Sequence, residues 1–354
     1  MRESEHTGMT VPGQQLNIVI ASSLEPVLVE RIRAVDPGRL RVTFDPELLP
    51  VPRYVADHHG AMRDLNEAQQ QRWRSHLADA DILLDFDWMA PAELPRSAPR
   101  LRWIQATSAG IGEMVRRAGL FDSDIIFTTA VGVHANSLAE FALLGMLYFY
   151  RGVPDLLRWQ ATHHWERYTN RELTGARVLI VGLGGVGRAV AGRCASFGLE
   201  VWGSRRTAGA PPEGVTRLVP YPEIRSVLPA IDGLILACPL TDQTARLIGP
   251  DEFAALRPSA VLVNISRGAV VDEEALIDAL RGGRLAGAAL DVFATEPLPA
   301  DSPLWDMPNV LISPHSASTV HEENERIVDV FCENLHRYLD GRPLINLFER
   351  ARGY

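Results

Sequence analysis

Cysteine is scarce in this chain. Cys194, Cys238 and Cys332 are the three cysteines in 354 residues, odd in number and far apart. That spacing speaks against a disulfide framework and for a reducing compartment. No CxxC pair and no zinc-type spacing occurs, so no metal site is expected. No apolar run reaches the roughly 20 residues that would span a bilayer. Met1–Gln15 is polar, contains Gly and Pro, and lacks the apolar stretch of a secretory signal; it reads as a loose leader. A cytoplasmic protein is expected. Long basic runs are also missing, and the formal net charge is -9. Nucleic acid and anionic membrane surfaces are therefore not expected partners. A small anionic substrate is still admitted, because positive charge can be local inside a negative molecule. Solenoid repeats and low-complexity tracts are absent as well.

What is present is an ordinary globular composition, 46% hydrophobic and 22% charged. The length suits two domains. Short apolar runs alternate with helical patterns. Leu16–Ala21, Arg41–Phe44, Asp81–Phe86, Leu101–Ala106 and Ile125–Thr129 read as strands, with amphipathic stretches at Val27–Val35 and Gly112–Ala118. A second series follows, with strands at Arg177–Val181, Glu200–Gly203, Gly233–Ala237, Ala260–Ile265, Ala286–Leu290 and Val310–Ile312. Helices fall at Val186–Phe197, Glu273–Arg281 and Thr319–Leu339. This alternation implies an α/β protein whose parallel sheets are covered on both faces. A long helix over Ala135–Tyr150 is apolar nearly all round, with Asn136 or Ser137 as its cap. Its place is between layers or between subunits.

The clearest motif is Gly182-x-Gly184-Gly185-Val186-Gly187, after an apolar strand and at the start of an Ala- and Val-rich helix. That context is what a dinucleotide fingerprint requires. Gly182 permits the tight turn, Gly184 lets backbone approach a pyrophosphate, and Gly187 lets helix and strand pack closely. The pyrophosphate would meet free N–H groups and the positive end of the helix dipole. About 20 residues on, a carboxylate would hold the ribose 2′-hydroxyl of NAD. Here Ser204, Arg205 and Arg206 stand instead. Two guanidiniums and a hydroxyl suit a 2′-phosphate, so NADP is expected over NAD.

Three further segments place a polar residue just past an apolar strand: Asn264 to Asp272 with Ile265, Ser266 and Arg267; Asp291 to Pro297 with Glu296; and Ser313 to Ser318 with His315. In a parallel sheet such strand ends gather on one edge, where ligands bind. Singly, each residue admits a duller role. Arg267 could be a surface ion-pair partner, Glu296 a loop carboxylate and His315 a satisfied buried histidine. The pairs His58-His59 and His163-His164 read as surface or interface residues, and His321-Glu322 lacks the second His of a zinc protease helix.

With these motifs in this order, the chain resembles the D-isomer-specific 2-hydroxyacid dehydrogenase family, which includes glyoxylate and hydroxypyruvate reductases. The likeness extends through Cys238, Pro239, Leu240, Thr241 and Thr244, and in the first domain through Ala109-Gly110-Ile111 and Gly132 to Glu140. It implies a substrate domain of residues 1–137 and 316–354, interrupted by an NAD(P)-binding domain at 138–315. Both would be Rossmann-like or flavodoxin-like. It also implies Arg267, Glu296 and His315 as the catalytic set and Asp291 as the anchor of the nicotinamide carboxamide. Cys238, Pro239, Thr244, Ile265, Ser266, Arg267 and His315 join the fingerprint, Ser204, Arg205 and Arg206 around the cofactor. Substrate contacts are expected at Trp88, Ser108, Ala109, Gly110, Ile111, Arg267 and His315, with the substrate side chain near Asp87, Trp88 and Met89. Trp88 fits a core position equally well. The chemistry is consistent. Arg267 can grip the carboxylate of a 2-oxo acid and polarise its ketone, and His315 can protonate the ketone oxygen. A homodimer is expected, with Ala135–Tyr150 and Trp159–Tyr168 at its interface. Same-frame enzymes acting on phosphite or formate, and cofactor-sensing corepressors, are the alternatives. Glu296, where the formate enzymes carry glutamine, counts against formate.

Overall fold

The computed structural model describes residues 15–206 and 209–350; the first 14 residues of the expected leader lie outside them. In chain order the elements begin with β1 (Leu16–Ile20), α1 (Pro26–Ala34), β2 (Leu40–Thr43), α2 (Glu67–Asp79) and β3 (Ile82–Leu84). Next come α3 (Leu94–Ser97), β4 (Trp103–Gln105), α4 (Gly112–Arg117), β5 (Ile126–Thr128), α5 (Ala135–Tyr150) and α6 (Val153–Ala161). The second series runs β6 (Arg177–Val181), α7 (Gly185–Ser196), β7 (Glu200–Ser204), β8 (Arg217–Val219), α8 (Ile224–Val227), β9 (Gly233–Leu236) and α9 (Pro250–Ala255). It closes with β10 (Val261–Asn264), α10 (Glu273–Arg281), β11 (Gly287–Leu290), β12 (Val310–Ile312) and α11 (Glu323–Leu339).

Two compact units result, residues 1–133 with 319–354, and residues 134–318. The sequence places these boundaries at 137/138 and 315/316, four and three residues away. The physical reason is local. Ser137 Oγ donates to the carbonyl of Ser318, and Asp291 accepts the N–H groups of Ser316 and Ala317. Both junctions are thereby fastened to the second unit.

The first unit is a five-stranded parallel sheet in the order β2-β1-β3-β4-β5. Alternate residues serve opposite faces, as the two-residue period of a strand dictates. Val19 enters one core with Trp73, Leu77 and Phe127, while Ile18 and Ile20 enter another with Ile327, Phe331 and Leu335 of α11. Burying apolar side chains of this size stabilises by about 1.5–3 kcal/mol each. A fully buried polar chain fixes α11 further. Trp103 Nε1 donates to Thr128 Oγ1, that hydroxyl donates to Gln105 Oε1, and Asn334 Nδ2 donates to the same oxygen.

The second unit is a seven-stranded parallel sheet in the order β8-β7-β6-β9-β10-β11-β12. Leu179 and Val181 of β6 face one core, and Val178 and Ile180 the other. Helix α5 lies on the latter face. Gly145 permits its close approach, since a Cβ there would stand 2.6 Å from that of Ala289. Helix α5 starts at Ala135 with His134 in the capping position, so neither Asn136 nor Ser137 caps it. The Ser137 hydroxyl donates to carbonyls of His134 and Ser318 instead of accepting an N–H. Among the described residues, no helix is long and apolar enough to cross a membrane.

Candidate active site

In the second unit the chain runs outward in both directions from β6, to β7 and β8 on one side and to β9 through β12 on the other. The order reverses between β6 and β9, and a crevice outside the carboxyl ends of the strands is expected at such a point. The glycine turn follows β6, and Cys238 follows β9. Gly182 has φ +98°, which a side-chain-bearing residue rarely adopts. A Cβ on Gly187 would stand 1.8 Å from the Gly182 carbonyl oxygen, so turn and helix touch backbone to backbone. Gly184 differs: a Cβ there would meet no protein atom within 4 Å. That open face is what an approaching pyrophosphate needs. The first backbone bond of α7 is Arg188 N–H to the Gly184 carbonyl, so the N–H groups of Gly185, Val186 and Gly187 fall outside the helix's own ladder.

The neighbouring strand ends lie on the same edge of the sheet. Ser204 ends β7, is fully buried, and its hydroxyl has no partner among the described residues. Arg205 donates through Nη2 to the Ala210 carbonyl at 3.0 Å, and Arg206 is exposed. After β9, Thr244 Oγ1 accepts from Thr241 N–H and donates to the Pro239 carbonyl, closing the Cys238–Thr244 turn. Ile265 and Ser266 are buried at the end of β10, where Asn264 Oδ1 accepts from both the backbone N–H and the hydroxyl of Ser266. The residues present fit a nicotinamide dinucleotide.

Arg267, Glu296 and His315 follow β10, β11 and β12, three adjacent strands. Arg267 is exposed, and its Nη1 donates to the Ser266 carbonyl at 2.7 Å. Gly268 sets this loop against the next: a Cβ there would fall 1.9 Å from the Phe293 carbonyl. The Phe293 N–H in turn donates to Glu296 Oε1 at 2.9 Å. Glu296 Oε2 lies 2.7 Å from His315 Nδ1. His315 itself sits at φ +54°, on a loop whose Ser313 hydroxyl and Ser316 and Ala317 N–H groups all donate to Asp291 Oδ1. Asp291 Oδ2 has no protein partner among the described residues. The Glu296 hydrogen bond raises the His315 pKa against an opposing desolvation, and the Glu296 and Asp291 charges add to the rise. For Glu296, burial pulls upward, but the His315 and Phe293 hydrogen bonds prevail and hold its pKa below the usual value. Burial dominates at Asp291 and raises its pKa.

The sequence profile of the NAD-binding domain of D-isomer-specific 2-hydroxyacid dehydrogenases matches residues 143–317. The chain is 34% identical over 269 residues to a glyoxylate reductase of Korarchaeum cryptofilum, covering 72% of this chain and 78% of the relative. It is 33% identical over 273 residues to glyoxylate/hydroxypyruvate reductase B of Pectobacterium carotovorum, covering 75% and 84% respectively. It belongs to the D-isomer-specific 2-hydroxyacid dehydrogenase family. A dehydrogenase of this family from Xanthobacter autotrophicus, solved in complex with NADPH and MES, matches the fold with a TM-score of 0.76 at 29% identity, over 96% of this chain and 100% of that one. The protein is therefore an NAD(P)-dependent oxidoreductase acting on the CH–OH group of 2-hydroxy acids.

In this dehydrogenase the first unit offers its own strand ends. Trp88 follows β3; it is half-buried, packed on the core Trp73 with ring centroids 6.1 Å apart. Ser108, Ala109, Gly110 and Ile111 follow β4, and none of their N–H groups donates to a protein acceptor among the described residues. Two local arrangements go beyond what the sequence predicts. Asp85 follows β3 at φ +70°, and its Oδ2 accepts the Thr107 hydroxyl. His58, expected at the surface or at an interface, is enclosed within the first unit: Nδ1 is 2.9 Å from Ser22 Oγ, and Nε2 is 3.7 Å from Glu323. No periodic signal in the sequence points to either.

Proposed function

We propose that the protein reduces a small 2-oxo acid of the glyoxylate or hydroxypyruvate kind to the D-2-hydroxy acid, with NADPH preferred over NADH. The Glu296–His315 pair at 2.7 Å, on strand ends adjacent to that of Arg267, carries this reading. When bound, the nicotinamide dinucleotide supplies or accepts the hydride. Arg267 presents planar paired donors that grip the substrate carboxylate and polarise the ketone. Glu296 occupies Nδ1 of His315, which leaves Nε2 to give a proton to the ketone oxygen or to take it back in oxidation. Asp291 Oδ2 is the acceptor available for the carboxamide. The unengaged amides of Ser108–Ile111 are donors for the substrate carboxylate.

The NADP preference is supported by the absence of a carboxylate at the end of β7 and by the unpartnered Ser204 hydroxyl beside Arg205 and Arg206. The NADPH held by the Xanthobacter relative points the same way, and the names of the two reductases support the substrate class. A cytoplasmic homodimer that binds neither nucleic acid nor membrane completes the reading. Its test is NADPH oxidation with glyoxylate, hydroxypyruvate and a wider panel of 2-oxo acids. Sustained turnover with small members, more efficient with NADPH than NADH, is expected. Tight NADPH binding without turnover of any 2-oxo acid would overturn the reading in favour of a cofactor sensor.

A further inference from the structure

The first unit reverses its strand order between β1 and β3, so β3 ends beside its own switch point. Asp85 stands there. It is half-buried and holds φ +70°, a region that residues other than glycine rarely occupy. Both carboxylate oxygens are used. Oδ1 accepts the Phe86 N–H at 2.9 Å, and Oδ2 accepts the Thr107 hydroxyl at 3.0 Å. Its own N–H donates to the Gln105 carbonyl at 2.8 Å. Thr107 is the residue immediately before Ser108–Ile111. The far side of that turn is pinned too, since the Ser108 carbonyl accepts the Ala130 N–H at 3.0 Å. The chain thus stores an uncommon backbone conformation at a ligand-binding edge and holds it with one side chain.

Charge sharpens the point. Among the described residues the Asp85 carboxylate is held by hydrogen bonds and has no cationic partner within 4 Å. The next acidic group, Asp87, is buried and saturated by Trp73 Nε1 and the N–H groups of Met89 and Ala90. Asp85 is therefore a carboxylate without an ion-pair partner at the root of two loops. One carries the free amides; the other, Phe86–Ala90, is the expected neighbour of the substrate side chain.

We propose that the Asp85–Thr107 bracket positions the amides that receive the substrate carboxylate, and that the Asp85 charge restricts the substrate to 2-oxo acids with a neutral or cationic side chain. This rests on the proposed function, in which Ser108–Ile111 bind that carboxylate. Asp85 is a positioning and specificity residue; it touches no reacting atom. A neutral side chain is indifferent to the Asp85 charge and an ammonium is attracted by it, whereas a second carboxylate or a sulfonate meets like charge. Specificity of this kind works by penalising the wrong ligand.

Two variants separate the two roles in the full chain with NADPH. Asp85→Asn keeps the shape, tolerates positive φ and removes the charge. The ratio of kcat/KM for oxaloacetate to that for hydroxypyruvate should rise roughly tenfold, the scale of one screened charge contact. Thr107→Val removes the hydroxyl at constant shape. It should raise KM for hydroxypyruvate several-fold with kcat nearly unchanged, leave NADPH binding intact, and speed hydrogen exchange of the buried Ala130 amide, which is bonded to the Ser108 carbonyl across the turn. An unchanged oxaloacetate preference in Asp85→Asn overturns the charge role. Parental KM and parental exchange in Thr107→Val overturn the bracket. If the parent turns over no 2-oxo acid, the proposed function falls and the Ala130 exchange measurement alone decides whether Thr107 holds this turn.

Discussion

Glu296 Oε2 and His315 Nδ1 are 2.7 Å apart, and the bond sets both the tautomer of the imidazole and the direction in which Nε2 can act. The pairing raises the His315 pKa. In the proposed mechanism ketone reduction needs the imidazolium, so the rate should fall as pH rises through that raised value. Glu296→Gln keeps the shape and removes the charge. It should shift the alkaline limb of the reduction profile to lower pH, because the imidazolium loses its partner. His315→Ala should cut turnover by roughly 10²–10⁴-fold while NADPH still binds. A pH–rate profile of parent and Glu296→Gln decides the first point, and an unmoved alkaline limb would count against it. The same sign governs stability. The His315 contribution is complete below the unfolded pKa of about 6.5 and is lost as pH rises through the native value. Both side chains are partly exposed, so that contribution is small.

Gly268 makes the second prediction. Its Cα lies so close to the Phe293 carbonyl that a methyl group would sit 1.9 Å away, on backbone that cannot rotate aside. Gly268→Ala should destabilise the protein by about 1–3 kcal/mol or more, the usual cost of overpacking. The loops of Arg267 and of Phe293–Glu296 should also part, so kcat/KM should drop further than Tm. Denaturation and initial rates on the same preparation test this. A variant with parental stability and parental kcat/KM would mean that the two loops adjust without cost.

Cofactor choice comes third. Replacing Arg205 and Arg206 together by Ala should raise KM for NADPH by at least an order of magnitude, because two charge-assisted hydrogen bonds to the 2′-phosphate would disappear. KM for NADH should barely move. Arg205 already donates to the Ala210 carbonyl, so part of any effect would come from loosening that loop. Arg205→Lys separates the effects, since it keeps charge but not the planar fork. Better efficiency with NADH than NADPH in the parent would refute the preference.

Legibility in the sequence follows apolar periodicity. Strand–turn–helix around Gly182–Gly187 is readable because β6 is a continuous apolar run and α7 opens directly on the glycines. The strand ends carrying Arg267, Glu296 and His315 are readable for the same reason. Helix α2 is not. Only Trp73 and Leu77 of its 13 residues are buried, too few for a periodic stripe. The capping box of Asn66 and Gln69 is its available sign. Helix α9 is short and equally hard to read, although Pro250 and Glu252 mark its start. Asn136 and Ser137 mislead because a hydroxyl or amide near a helix start can serve either as cap or, as Ser137 does, as a donor to a neighbouring loop. Asp85 and His58 are invisible since their roles depend on residues 22 and 36 positions away in the chain, respectively.

The exposed apolar residues of α5, α6 and the following segment carry the last prediction. Trp165 is 94% exposed and Leu157 53%, with Leu144, Leu156 and Tyr168 also open on the same unit. Single exposed apolar side chains are normal, but several large ones along connected elements mark an interaction surface. The segment is braced rather than loose: the Trp159 ring contacts Tyr168 at 5.0 Å and His164 at 5.8 Å between centroids. A second copy of the chain is the expected cover, through a two-fold contact that buries the same patch on both subunits. A stable interface of this kind buries about 1,200–2,000 Å² in total. Sedimentation of the parent at micromolar concentration should therefore give twice the mass of one chain. Leu157→Glu with Trp165→Ser should shift it to the single-chain mass, because like carboxylates would face each other across the axis. The substitutions lie on the surface, so the folded unit should survive, and far-ultraviolet circular dichroism checks that it does. A monomeric parent would refute the prediction, and a double variant that stays dimeric would move the interface elsewhere on the molecule.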